Sequence, residues 1–90
     1  NDNEQMSFAV YPTIFEDALM LNYTSTDGND VTFNMYDTHG RFVASKKFAA
    51  PTPGGYAESW DVSSLQLPAG LYLIECVSGD QRGSVKVIKQ

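Results

Sequence analysis

An all-β sandwich is the fold class this sequence predicts, on three observations. Apolar residues recur mostly at period two, turn-forming residues interrupt them at intervals of roughly ten, and the stretches between can be drawn as short strands. At 90 residues the chain suits one compact domain with a single core, and an apolar fraction of 42% makes that core plausible. About seven strands can be drawn, which two sheets packed face to face accommodate.

Residues 1–7 are polar and turn-forming apart from Met6, and read as a linker remnant, with the domain proper over 8–90. The first strand is Phe8 to Tyr11, stopped by Pro12, which cannot donate to a ladder. Ala18 to Thr24 follows, with Leu19, Leu21 and Tyr23 on one face; its start also fits a short helical turn through Ile14-Phe15 and Ala18-Leu19, and the strand is the preferred reading. Asp27-Gly28 between two alternating runs is a hairpin signal, because Gly tolerates the positive φ of such turns. It predicts that this strand pairs antiparallel with the next, Val31 to Tyr36, whose inward set is Val31, Phe33 and Met35. Asp37-Thr38-His39-Gly40 turns the chain into a strand from Arg41 to about Phe48. A proline- and glycine-rich loop from Ala49 to Gly55 leads to Tyr56 to Val62, with Trp60 as the largest core candidate. Leu71 to Val77 and Ser84 to Ile88 complete the set, separated by Ser78 to Gly83.

Composition narrows the function. A net charge of -5 argues against nucleic-acid binding, which rests on Lys and Arg neutralising phosphates. The single cysteine, Cys76, permits no internal disulfide. No apolar run approaches the ~20 residues of a membrane-spanning helix, and the opening residues lack the basic and apolar parts of a signal peptide. The chain opens on Asn1 rather than Met, as expected of a piece of a longer polypeptide.

Candidates for catalysis are few, and no enzyme activity, metal or cofactor is expected. Cys76 shares a strand face with Tyr72 and Ile74 and reads as a core thiol, while His39 sits in a tight turn, so a Cys-His dyad is disfavoured. Asp27, Asn29 and Asp30 lack the spacing and terminal Glu of a calcium loop and suit a turn. Glu16, Asp17, Asp61 and Glu75 are spread over different elements instead of forming a carboxylate pair. Arg41, Lys46 and Lys47 lie on one strand and Lys86 and Lys89 on another; edge protection is preferred over a docking patch.

In Leu67-Pro68-Ala69-Gly70-Leu71-Tyr72, Pro68 fixes φ, Gly70 allows a sharp change of direction and Tyr72 enters a strand, which resembles a tyrosine corner. Its hydroxyl is expected to bond the crossover backbone, a structural role.

Four segments in order carry a further likeness. Val10-Tyr11-Pro12-Thr13-Ile14-Phe15 precedes an apolar strand; Tyr36-Asp37-Thr38-His39-Gly40-Arg41 leads to Phe42-Val43; Asp61 to Leu65 runs on to Pro68-Ala69-Gly70-Leu71-Tyr72; and Val85 to Gln90 closes on a basic, aliphatic terminus. In this order they resemble the type A C-terminal sorting domain of type IX secretion cargo in Bacteroidetes, over Val10 to Lys89. Thr13-Ile14 stands where that family favours Asn-Pro, and Gln66 is an extra residue.

The resemblance implies an immunoglobulin-like antiparallel sandwich of about seven strands at the end of an exported cargo. Its implied partners are the outer-membrane translocon, a shuttle protein, and a sortase that cuts upstream and attaches the cargo to surface lipopolysaccharide. The implied destination, through the periplasm, is the outer membrane, cell surface or extracellular space. Lys86, Val87, Ile88, Lys89 and Gln90, with Gly40 and Arg41, are the expected recognition residues; Tyr11, Pro12, Phe15, Asp37, Pro68, Gly70 and Tyr72 are the structural set. An uncleaved docking domain and a generic immunoglobulin-like spacer or adhesion module stay open as alternatives. So does a homodimer through edge strands.

Overall fold

The computed structural model describes residues 7–25 and 28–90. Eight strands run β1 Phe8–Tyr11, β2 Ile14–Phe15, β3 Ala18–Ser25, β4 Val31–Tyr36, β5 Phe42–Phe48, β6 Gly54–Asp61, β7 Gly70–Ser78 and β8 Gln81–Lys89, with a 3-10 turn at Ser63–Leu65. They form a three-stranded sheet ordered β1-β3-β6 and a five-stranded sheet ordered β2-β8-β7-β4-β5. All pairings are antiparallel except β2 with β8. The first strand is split: β1 pairs with β3 in one sheet, and after Pro12 the chain crosses to lay β2 beside the end of β8 in the other. This is an immunoglobulin-like sandwich in which the two sheets supply alternate residues to one core.

The period-two pattern is realised where it was cleanest. Leu19, Leu21 and Tyr23 from β3 face Val31, Phe33 and Met35 from β4 and Tyr72, Ile74 and Cys76 from β7, all buried, and Trp60 and Phe15 join them. Tyr23 and Phe33 pack ring against ring across the sheets at 5.5 Å. The rings are tilted at 58° to one another, and an aromatic pair of this kind adds to what area burial alone contributes.

The expected β3–β4 hairpin is not formed. β3 pairs along its whole length with β6, and β4 lies between β5 and β7 in the opposite sheet, so the connection crosses the sandwich. Of the hairpin signal, Asp27 lies outside the described residues, while Gly28 has φ +76 and packs close to the Pro51 carbonyl. Turn chemistry is local, whereas pairing is decided by long registers. In opposite sheets both apolar faces point into one core, with full ladders on each side.

Two boundaries also move. Ile14-Phe15, ahead of the expected start at Ala18, forms a short strand of its own, in keeping with the preferred strand reading over a helical turn, with Phe15 buried and Ile14 exposed. The β7–β8 connection contracts to Gly79-Asp80, because Ser78 already pairs with Gln81.

Edge protection follows a recognisable device. β5 is an edge strand, and Lys46 stands opposite the buried Phe33, on the inward side of that edge. An inward charge there makes pairing with another sheet costly. Lys47, on the outer side, lies 3.7 Å from Asp30.

Candidate functional site

The site is built at one end of the five-stranded sheet, where three separate stretches of sequence meet. The β4–β5 turn supplies the first. Asp37 accepts hydrogen bonds through Oδ1 from the backbone N–H groups of His39 (2.8 Å) and Arg41 (3.0 Å), and its Oδ2 accepts from Arg41 Nε at 3.0 Å. Two backbone bonds close the turn, Asp37 N–H to the Arg41 carbonyl and Gly40 N–H to the Asp37 carbonyl. Gly40 takes φ +78, a conformation that other residues adopt only under strain. The Arg41 backbone N–H is the largest influence holding the Asp37 carboxyl below its ordinary range, with His39 N–H and the Arg41 side chain assisting. The Asp37–Arg41 pair lies in solvent and its main effect is to fix the shape of the turn.

The second stretch is the tyrosine corner. Tyr72 is buried and its hydroxyl donates to the Pro68 carbonyl at 2.7 Å, as its sequence predicts. Burial first, then the nearby Asp37 carboxylate, pushes the phenol above its usual range. A second corner was missed in the sequence. Tyr56 donates to the Thr52 carbonyl at 2.7 Å and accepts from the Thr52 N–H at 3.2 Å, at the entry to β6. The signal was a repeated spacing: Gly54 and Gly70 each precede a tyrosine by two residues and take φ +139 and +150, open only to glycine without strain.

The third stretch is β8. Tyr72 lies opposite Val87 and Leu73 opposite Lys86, and one groove is lined by Tyr36, Thr38 and Gly40 on one side and Leu71, Leu73 and Lys86 on the other. An adjoining groove runs between the β4–β5 turn, including Arg41, and the Pro68-Ala69-Gly70 corner. Apolar side chains continue this surface along the outer face of the sheet. Ile14, Ile88 and Leu71 occupy one cross-strand row, and Leu73, Tyr36 and Phe42 the next. Phe42 is 61% exposed, Ile14 52% and Ile88 45%, and the Phe42 ring meets Tyr36 edge-on at 6.1 Å. A continuous exposed apolar row on a sheet face marks an interaction surface more often than scattered residues do.

The five terminal residues do not form a tail. Ile88 N–H donates to the Thr13 carbonyl and Gln90 N–H to the Phe15 carbonyl, so β2 is held by the end of β8. Alternation then divides them: Lys86 and Ile88 point outward, whereas the Val87 side chain is wholly buried. A partner approaching this end meets Lys86, Ile88 and Gln90, and any influence of Val87 passes through the core. Lys89, half-buried, reaches the Gln90 carbonyl. Lys86 and Gly40 line the same groove and Arg41 its neighbour, while Tyr11 and Pro12 lie where the chain changes sheets.

Chemistry of other kinds finds little to use. Cys76 is buried opposite Phe33, and burial pushes its thiol up to about 12; His39 is exposed in the β4–β5 turn. Among the described residues, no group of three or more His, Cys, Asp or Glu side chains is arranged to hold a metal ion. Glu75 is the hub of a surface network, accepting from Asn34 Nδ2 at 3.3 Å and Tyr36 Oη at 3.2 Å, with Arg82 3.8 Å away.

The residues that build this end are those of the four-segment pattern, and comparison with protein families gives the same reading. Residues 9–90 match the family described as the Secretion system C-terminal sorting domain. The chain belongs to that family. As a type IX sorting domain it carries a signal for export across the outer membrane to the surface or extracellular space, a role that points away from enzymatic activity. No curated protein matches the chain.

Proposed function

We propose that the sorting domain directs a larger, N-terminally fused cargo by presenting one end of its five-stranded sheet to the outer-membrane translocon and shuttle protein of the type IX system. A sortase then removes the domain and joins the cargo to surface lipopolysaccharide. The observation that carries the reading is convergence. Gly40 and Arg41, the corner from Pro68 to Tyr72, and Lys86 come from distant parts of the chain and line adjoining grooves, beside an exposed row of Ile14, Ile88 and Leu71. The outward residues Lys86, Ile88, Gln90, Gly40 and Arg41 are the ones a translocon component reads, and Val87 and Lys89 keep their strand in place.

The test is a reporter fused ahead of this chain in a type IX-competent host. Ile88→Glu and Lys86→Glu change the outer face without emptying the core, and each is expected to retain the reporter in the periplasm while the purified domain keeps its denaturation midpoint. Removal of residues 86–90 also takes away Val87 and both bonds to β2, so it reports on folding as much as on recognition. Secretion of the Ile88→Glu and Lys86→Glu fusions at the wild-type level would sink the reading.

A further inference from the structure

Among the described residues, the alternation of β8 leaves one unpaired edge beside the recognition end. Ile88 and Gln90 send their N–H groups to β2, so the even-numbered residues of β8 direct their backbone groups away from β7. β2 covers only the last of them, since it pairs with Ile88 and Lys89 and the chain leaves for the other sheet at Pro12. Arg82, Ser84 and Lys86, all exposed, therefore present their N–H and C=O groups at an open edge. Along its inner side lie two half-buried apolar groups, Val85 and the Phe8 ring that packs on Gly83.

Charge selects what can pair there. All six cations of the chain, Arg41, Lys46, Lys47, Arg82, Lys86 and Lys89, fall on the five-stranded sheet or its β4–β5 turn, and the strands of the other sheet carry none. A second copy adding its own β8 in the register that uses all three residues would set Arg82 against Lys86, and its β5 would bring Lys46 and Lys47; like charges directly opposite are destabilising.

We infer that the open edge of β8 from Arg82 to Lys86 accepts an extended strand from an acidic partner protein, by strand addition. The strand that fits has Asp or Glu opposite Arg82 and Lys86, a hydroxyl residue opposite Ser84, and apolar residues between them facing Val85 and Phe8. It spans five residues, about 17 Å. The inference rests on the export reading only for the source of that partner, a component met during secretion.

The experiment titrates the isotope-labelled chain with an eight-residue peptide alternating valine with glutamate, with its lysine twin, and with anionic phosphatidylglycerol vesicles, following amide exchange residue by residue. The glutamate peptide is expected to slow exchange at Arg82, Ser84 and Lys86 at least tenfold, with no comparable change at Gly83, Val85 and Val87, which already face β7. No even-numbered protection, equal protection by the lysine twin, or binding to the vesicles alone overturns the inference. Arg82→Glu with Lys86→Glu converts two opposite-charge cross-strand pairs to like-charge pairs and is expected to weaken the glutamate peptide about tenfold and favour its lysine twin. Ser84→Pro removes one edge donor that has no backbone partner among the described residues and is expected to abolish the protection; if that variant unfolds, the charge-reversed pair carries the test. In the export assay, a secreted wild-type fusion with both variants retained supports the inference. Secretion of the wild type and of both variants overturns it and leaves the export reading to the Ile88→Glu fusion, which does not alter this edge, whereas failure of the wild-type fusion overturns the export reading and leaves the peptide titration to judge the edge.

Discussion

Replacing Tyr72 by Phe removes one oxygen atom and tests whether the corner holds the recognition end together. The hydroxyl donates at 2.7 Å to the Pro68 carbonyl, and the ring is only 6% exposed. A neutral hydrogen bond contributes about 1 kcal/mol net, and a stranded buried acceptor costs about 1–3 kcal/mol. Pro68 is exposed, so water can reach its carbonyl after the change, which keeps the expected loss near 1 kcal/mol. For a domain of this size that corresponds to a fall in Tm of about 4–8 °C. The other corner is the internal control: Tyr56→Phe breaks a bond of the same length at an exposed site, where water substitutes readily, and should cost about half as much. A pH series adds a sign. The folded phenol of Tyr72 lies above its ordinary 10.0, so its contribution is complete below that pH and is lost as pH rises through the folded value. The gap between wild type and Tyr72→Phe should therefore narrow in alkali. Urea unfolding of the three proteins decides the matter: a Tyr72→Phe loss no larger than that of Tyr56→Phe refutes the assignment of the corner as the brace of this end.

Three further outcomes are expected. Gly83→Ala places a Cβ 2.6 Å from Phe8 Cε1 and should cost about 1–3 kcal/mol in denaturant unfolding, with part of the loss recovered by adding Phe8→Ala. Asp37→Asn should destabilise the domain at neutral pH but not in acid, because a carboxyl held below its ordinary 3.8 contributes stability above that pH and loses it as pH falls through the folded value; thermal melts of both proteins from pH 7 to 2 check this. The Cys76 thiol, pushed up to about 12 by burial, should react with a chromogenic disulfide only at the rate of unfolding, so native protein stays unlabelled for as long as it stays folded.

Much of the architecture was legible because the core is written at period two. The inward sets of β3, β4 and β7 could be read from their residues alone, and so could the corner at Tyr72, whose proline, glycine and tyrosine each have a separate physical reason to stand where they do. What the sequence left hidden is long-range. Asp27-Gly28 has the chemistry of a tight turn, yet nothing local says that β3 will find its full ladder on β6 and β4 on β5 and β7. Ile14-Phe15 is too short to declare itself, and becomes a strand only because Thr13 and Phe15 offer carbonyls to the end of β8.

The candidate site failed to be fully legible for a related reason. Lys86 to Gln90 reads as one basic, aliphatic unit, but a strand divides such a unit by parity. Lys86 and Ile88 belong to the outer face, Val87 to the core, and the N–H groups of Ile88 and Gln90 to β2. A deletion there removes recognition, packing and a second strand together, and loss of export after it says little about which was needed. The same parity supplies the remedy. Substitutions at Lys86 and Ile88 act on the outer surface, Val87→Ala acts on the core, and a fold-coupled signal loses export with the second in proportion to stability. A surface-read signal loses export with the first at unchanged Tm, which is the outcome expected from the exposure of those two side chains.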